Sequence, residues 1–399
     1  MTQHSISEII AYIQKATGKT QTEVARRMSV SQSTVSDWTS GTSQPRPHKR
    51  KLLLEWFDEC RKAAVAKNQN PSYDEILAVN STLSTSEALK YYKTMTADFS
   101  ASLLDTFYGH WYAAQIEFHQ GDYEKSYRKN HNLKHFAECF DTDPNFMEMA
   151  CFNAMTQIDL FRGVNLNRIR EKFRQYESES GYTPLANKHG GLLGFHSEVM
   201  RLTVLGFTEC LLGNQTQALE VINRCHRLVA DQNDAFKSVP LSWEADIYYV
   251  NNEWRKALEC AEKAYELATG TLPLVEAIAL IHMGNCKAHL NNDSEAISII
   301  SDGLSILKEM NFKFAWTFWL EIHASACLHL KMTEQALSSI EEAIHFSIGI
   351  DEQFWMPRIL TTKAQILSAI DNSNTPESEE LIVQAQKLAN MFDFKMIAN

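Results

Sequence analysis

At 399 residues, with 44% apolar side chains and a net charge of -11, the chain is too long for one compact core and too apolar to be mainly disordered. The charge is uneven: eleven Lys/Arg face six Asp/Glu up to Lys67, and twenty-seven face forty-three beyond it. A basic head on an acidic body is the footprint of a chain that meets nucleic acid at one end only.

A first helix is predicted from about Ser5 to Ala16, with Ser5 and Glu8 spaced as a capping box, Ile6, Ile9, Ile10 and Ile13 on one face, and Gly18 ending it. Thr20 and Glu23 form a second capping box, opening a short helix whose apolar face is Val24, Ala25 and Met28. A tight turn at Met28-Ser29-Val30 leads to Ser31, an N-cap candidate, and a helix from Gln32 to Trp38 that buries Val35 and Trp38. After Gly41 and a polar turn through Pro45, a fourth helix from about His48 to Lys62 buries Leu52, Leu53, Trp56 and Phe57. Two short helices joined this way make the bihelical unit whose second member enters the major groove of DNA.

Gln21 opening one helix, Ser31-Gln32-Ser33 opening the next, and Trp38, Gly41 and Pro45 after it resemble the phage-repressor (Cro-like, or XRE) helix-turn-helix family over about residues 5–62. The resemblance implies that Gln21 bonds a phosphate and that Gln32 reads an adenine edge through its amide. Ser31, Ser33 and Ser36 then lie at bases or phosphate. Arg46, Lys49, Arg50 and Lys51 would neutralise backbone phosphates and make binding salt-dependent. Two positions depart from the family. Thr39 replaces a glutamate that pairs with an arginine of the first helix, where Gln14 stands here. Asp37 replaces a neutral or basic residue, and either accepts from a cytosine amino group or disfavours phosphate there.

From about Lys67 to Ser86 the chain is polar and turn-rich and reads as a linker with one short helix near Tyr73 to Val79. Beyond it no alternating strand pattern occurs, and small residues recur at fixed intervals. Gly206, Ala218 and Cys225 return as Ala245, Ala257 and Ala264, then Gly284, Ala296 and Gly303, then Ala324, Ala336 and Ala343. Ala364, Ser378 and Ala385 form a looser fifth copy, and Ala114 and Ser126 around Gly121-Asp122-Tyr123 an earlier one. A degenerate copy spans 150–176 with Gly163. Polar breaks at Gly213-Asn214, Asn251-Asn252, Asn291-Asn292-Asp293 and Lys331-Met332-Thr333 mark hairpin turns. Small residues at such spacing let two helices approach closely where large side chains would forbid it.

This pattern is similar to the tetratricopeptide repeat, with a longer period, and implies an all-α chain: a helix-turn-helix bundle, then a right-handed α-solenoid of roughly seven helix pairs. The expected domains are 1–66 (DNA-binding), 67–87 (linker) and 88–399 (sensor and dimerisation), with Phe392 and Phe394 capping the end. Helical-wheel placement beside the small sites selects a concave, ligand-facing set: Thr203, Phe207, Ser242, Asp246, Tyr249, Ile281, Asn285, His289, Glu321, Ser325, Thr361 and Gln365. Asn285 and Gln365 offer both donor and acceptor to a peptide backbone. Trp316, Phe318, Trp319, Phe354 and Trp355 cluster before two hairpins and read as inter-repeat core, with part of them free to floor a pocket.

The eight cysteines form no CxxC pair and are expected to be reduced, buried and structural. From the polar start Met-Thr-Gln-His-Ser no signal peptide is expected, and no apolar run approaches the roughly 20 residues of a membrane span. A cytoplasmic, membrane-free protein is expected. Phosphate loops, HExxH and GxSxG are absent from the sequence, so neither enzyme activity nor a cofactor is expected. His189, Glu117 and His119 are read as ordinary surface or core groups, with no metal site.

A repressor-type head with tetratricopeptide-like repeats is similar in architecture to the RRNPP group of cytoplasmic quorum-sensing receptors. That likeness implies a homodimer on a two-fold DNA operator, with a signalling peptide or small ligand in the groove setting the spacing of the heads. The alternative is a DNA-binding regulator whose repeats hold a protein partner, such as an antirepressor or kinase; a scaffold that binds no DNA, or an unrecognised enzyme, is a third reading.

Overall fold

A computed structural model describes residues 6–17, 19–46, 48–57, 103–137, 145–179 and 191–395. All regular structure among them is helical. Residues 1–73 form one compact unit and residues 74–399 a second. Ser5, Gly18 and residues 58–102, which include the expected linker and its short helix, lie outside the described residues, as do Cys60, Cys139 and His189.

The first unit holds α1 (Ile6–Thr17), α2 (Gln21–Met28), α3 (Gln32–Thr39) and α4, helical over 48–57. Thr20 caps α2: its hydroxyl accepts from the Glu23 amide while the Glu23 carboxylate accepts from the Thr20 amide. Ser29, left-handed at φ 50°, stops α2, and Ser31 caps α3 by accepting from the Thr34 amide. One core gathers Ile6, Ile9, Ile10, Ile13, Val24, Ala25, Met28, Val35, Trp38, Leu53, Trp56 and Phe57, with Leu52 partly covered beside it. The isoleucine stripe and the Val35/Trp38 pair are the faces the periodicity assigns inward.

The second unit is a run of helical hairpins, seven among the described residues. They are α5 (Leu103–His119) with α6 (Tyr123–Ala137), α7 (Asn145–Phe161) with α8 (Leu166–Glu179), and α9 (Gly191–Leu211) with α10 (Gln215–Val229). Next come α11 (Asp234–Val250) with α12 (Trp254–Ala268), and α13 (Pro273–Asn291) with α14 (Ala296–Glu309). The last are α15 (Trp316–His329) with α16 (Thr333–Ile350), and α17 (Met356–Asp371) with α18 (Pro376–Phe392). Each hairpin turns through one left-handed residue: Gly121, Gly163, Gly213, Asn252, Asn292, Lys331 and Asn372. Glycine takes that conformation freely, and asparagine bears it better than other side chains.

The recurring small residues are the places where the paired helices cross. A Cβ added at Gly284 would stand 2.6 Å from the Ala296 carbonyl oxygen, and one at Gly303 would stand 2.6 Å from that of Ala277. Ala218, Cys225, Ala245, Ala257, Ala264, Ala324, Ala336 and Ala343 are fully buried. In the earlier copy the Ser126 hydroxyl donates to the Ala114 carbonyl at 2.7 Å. Phe392 and Phe394 are buried at the end of the last hairpin, where Phe394 packs edge-on against Trp355.

Candidate nucleic-acid interface and ligand site

On the head, α3 presents its polar side outward because Val35 and Trp38 hold the opposite side in the core. Gln32, Ser33, Ser36 and Asp37 are exposed along it. The Ser31 hydroxyl is engaged in capping and lies 2.8 Å from the Ser33 hydroxyl, which ties the first turn together. Gln21 is half-buried, its amide nitrogen 3.5 Å from the Thr39 hydroxyl. Thr39 thus faces Gln21, while the Gln14 amide turns to the Lys19 carbonyl. Arg46, Arg50 and Lys51 are exposed, Lys51 near Glu55 at 3.9 Å. Lys49 is half-buried and donates to the Met28 carbonyl at 2.6 Å, so its ammonium closes the end of α2.

In the body, the inward sides of the first helices meet one another. Phe118 and Phe161 contact Phe314, Phe161 contacts Phe354 at 4.6 Å, and Tyr249 and Phe207 lie against Phe318. The concave side is filled by aromatic rings. Of the expected ligand-facing set, Thr203, Phe207, Ser242, Asp246, Tyr249, Ile281, Asn285, Glu321 and Thr361 are buried, His289 and Ser325 are half-buried, and Gln365 is exposed. Thr203, Ser242 and Thr361 donate to carbonyls of their own helices. Trp319 and Trp355 join Phe318 and Phe354 in the same packed group.

Polar groups are set into this apolar interior in two kinds. Some are saturated. Glu321 accepts from the Tyr249 hydroxyl at 2.6 Å, the Trp355 indole at 3.1 Å and the Thr362 hydroxyl at 2.7 Å, with Arg358 at 3.5 Å. Desolvation, with the Glu321 carboxylate beside it, holds the Tyr249 phenol well above its usual range. Glu352 accepts from the Tyr123 hydroxyl, the Ala315 and Thr317 amides and the Thr317 hydroxyl, yet desolvation still pushes its carboxyl up to about 7.

Others are unsatisfied. Asn285 is fully buried, and neither its amide nitrogen nor its oxygen has a partner. On the same helix the His282 Nδ1 and His289 Nε2 are also unpartnered. His282 Nε2 meets Asp246 at 2.6 Å, and burial raises the Asp246 carboxyl. Desolvation, then His329, bring His289 down to about 4, so it is neutral near pH 7; its ring stacks on Trp254 at 4.2 Å. Buried polar groups normally find partners, and one left without costs about 1–3 kcal/mol. His282, Asn285 and His289, spaced three and four apart, form one polar stripe on α13.

His282, Trp254, His329, Arg358 and Glu352 were not among the residues expected from sequence. A run of polar residues at helical spacing inside the apolar stretch 273–291 signals His282. Glu352 sits in an inter-repeat turn, where no periodicity points to it. Among the described residues no three His, Cys, Asp or Glu are arranged to hold a metal ion, and no helix is long and apolar enough to cross a membrane.

Residues 10–55 match the helix-turn-helix family model. No curated protein matches the chain in sequence. Among solved structures, the chain is similar to the Rap conjugation gene regulator of plasmid pLS20, solved with the Phr* peptide: 9% identity, TM-score 0.55, covering 99% of this chain and 97% of that one. It also matches Bacillus thuringiensis PlcR, solved with the peptide PapR7 and DNA, at 14% identity and TM-score 0.44 over 77% of this chain and 96% of that one. A signal-transduction ATPase with a tetratricopeptide sensor from Pyrococcus horikoshii matches at 16% identity and TM-score 0.42, covering 80% and 47%. The amino-terminal unit is therefore a helix-turn-helix of the XRE type, and the carboxy-terminal unit is a tetratricopeptide-like α-solenoid.

Proposed function

We propose that the chain is a cytoplasmic, sequence-specific transcription regulator. Its head binds a two-fold operator as part of a homodimer, and its body takes an extended peptide that sets the spacing of the two heads. Residues 1–66 serve as the reader, 67–87 as the tether and 88–399 as the sensor. The exposed side of α3 suits DNA contact by Gln32, Ser33, Ser36 and Asp37, flanked by Arg46 and Arg50. Gln21 and Ser31 position that helix, and Lys49 adds charge behind it.

The observation that carries the ligand reading is the stripe of unpartnered donors and acceptors on α13, centred on Asn285. An extended peptide backbone supplies both an N–H and a C=O to such an amide. Asp246, Tyr249, Glu321 and Ser325 surround the path, and Thr203, Phe207, Ser242, Ile281, Thr361 and Gln365 extend it to neighbouring repeats. The solenoid likeness to Rap, which was solved holding a peptide, supports this. Groups turned into the interior favour a thin chain over the surface of a folded protein partner.

Selection from random DNA fragments at two salt concentrations, with and without a low-molecular-weight peptide fraction, tests the proposal. The native chain is expected to enrich a two-fold site. Gln32→Ala is expected to lose about 10–100-fold of preference for that site while keeping weak, salt-sensitive binding. Asn285→Ala is expected to keep the site and lose the peptide response. An unchanged footprint with Gln32→Ala would overturn the placement of the reading helix.

A further inference from the structure

The solenoid of the second unit returns on itself. The first helices of its first three described hairpins end at His119, Phe161 and Leu211, and each of these carbonyls accepts from a turn far along the chain. His119 O accepts from the Lys313 and Phe314 amides at 2.7 and 3.1 Å. Phe161 O accepts from those of Gln353 and Phe354 at 2.9 and 3.2 Å, and Leu211 O from that of Lys395 at 2.8 Å. The three rungs share one design. On the acceptor side a left-handed glycine follows within two residues (Gly121, Gly163, Gly213), and on the donor side a left-handed Asn311, Asp351 or Asp393 precedes the donating amides.

The glycines make the close approach possible. A Cβ at Gly163 would stand 3.0 Å from the Gln353 Cβ, one at Gly121 would stand 3.4 Å from that of Lys313, and one at Gly213 would stand 3.3 Å from that of Lys395. Side chains lace the same line. Arg162 reaches Asp351 at 2.8 Å and Glu124 at 3.3 Å, Asp393 accepts from Asn165 and Asn167, and Tyr123 donates to Glu352. His282 and Tyr249 have no solvent exposure and pack against Phe318, whose ring meets that of Phe354 in the middle rung; Asn285, three residues from His282 on α13, has no solvent exposure either.

We propose that this seam is the gate of the body: its three rungs part together, and the buried His282 and Asn285 on α13 are reached only when they do. The gate rests on the reading above that the interior takes a ligand. On the donor side the hairpins α15–α16 and α17–α18 run from one rung to the next, so separating one rung tilts the hairpin that carries its neighbour. Unsatisfied polar groups inside oppose the closed form, which keeps opening within reach.

The test is to staple the outer rungs in the full chain, as Gly121→Cys with Lys313→Cys and, separately, Gly213→Cys with Lys395→Cys. Their Cβ separations lie close to the disulfide range of about 3.5–4.5 Å. The native Cys210, Cys225 and Cys286 are buried, their thiols pushed up to about 12, so they compete poorly for oxidation. Two readouts are taken on oxidised and reduced protein: amide exchange at Gln353 and Phe354, the unstapled middle rung, and retention of a degenerate heptapeptide pool. Oxidation is expected to slow middle-rung exchange by at least about tenfold and to cut peptide retention as much, with reductant restoring both. Arg162→Ala, which alters no left-handed position, is expected to speed exchange at all three rungs. Middle-rung exchange indifferent to an outer staple overturns the gate, as does equal retention by locked and reduced protein. Slowed exchange with no peptide retained in either form upholds the seam as one opening unit and sinks the peptide reading instead.

Discussion

Replacing Glu321 with alanine is expected to lower the unfolding free energy of the body by about 3–5 kcal/mol, the scale of a buried ion pair stripped of one partner. Glu321 is fully buried and joins residues from three helices: Tyr249 on α11, its own place on α15, and Arg358 and Thr362 on α17, with Trp355 just before α17. The truncation leaves a guanidinium with little solvent access and orphans two hydroxyls and an indole N–H. A double variant, Glu321→Ala with Arg358→Leu, is expected to recover part of the loss, because it removes the stranded charge while the other donors stay unpaired. Urea unfolding of the full chain measures both. A single variant within about 0.5 kcal/mol of the native chain would show that the network adds nothing to stability.

Stability of the body is also expected to fall as pH rises through neutrality. The Glu352 carboxyl has an ordinary value of 4.5, and burial pushes it up to about 7. Below pH 4.5 the carboxyl is protonated whether the chain is folded or not, and its favourable contribution is fully present. As pH rises toward 7 the unfolded chain releases the proton and the folded one keeps it, so stability drops. Above 7 both forms are ionised, and the contribution is gone. Glu352→Gln carries no titrating group there. Between pH 5 and pH 8 the native chain is expected to lose about 2–3 kcal/mol relative to that variant. Parallel pH profiles for the two proteins would contradict the buried-carboxyl account. The same residue closes the seam through Tyr123, so protection of the Gln353 and Phe354 amides, measured relative to their base-catalysed intrinsic exchange, should fall over the same range in the native chain only.

The head was legible almost residue by residue. Capping boxes, apolar spacing and a short turn are local signals, and the Thr20/Glu23 box and the Ser31 cap act over three residues, within reach of periodicity. The hairpins were legible for a related reason. Helices that cross at a small residue leave a regular trace, and the Gly284/Ala296/Gly303 spacing records a backbone approach that no larger side chain permits. The inward-turned polar groups were only partly legible. Offsets from a small site tell which way a residue leans on its own helix, and Asn285 and His289 emerged that way. They do not tell how tightly the solenoid winds, so the burial of Thr203 and Thr361, and of Phe207 under rings from distant hairpins, had no sign in their neighbourhoods.

The amino-acid sequence by itself determined the two architectures, the turns and the sites where helices touch, because each rests on interactions between residues a few turns apart. Only the tertiary structure decided that the concave side closes, that Glu352 answers Tyr123 across 229 positions, and that Asn285 is left inside without a partner. Those features depend on the accumulated rotation from one hairpin to the next. Small angular steps, summed over the five hairpins that each rung spans, bring His119, Phe161 and Leu211 within hydrogen-bonding distance of turns that no sequence spacing relates to them.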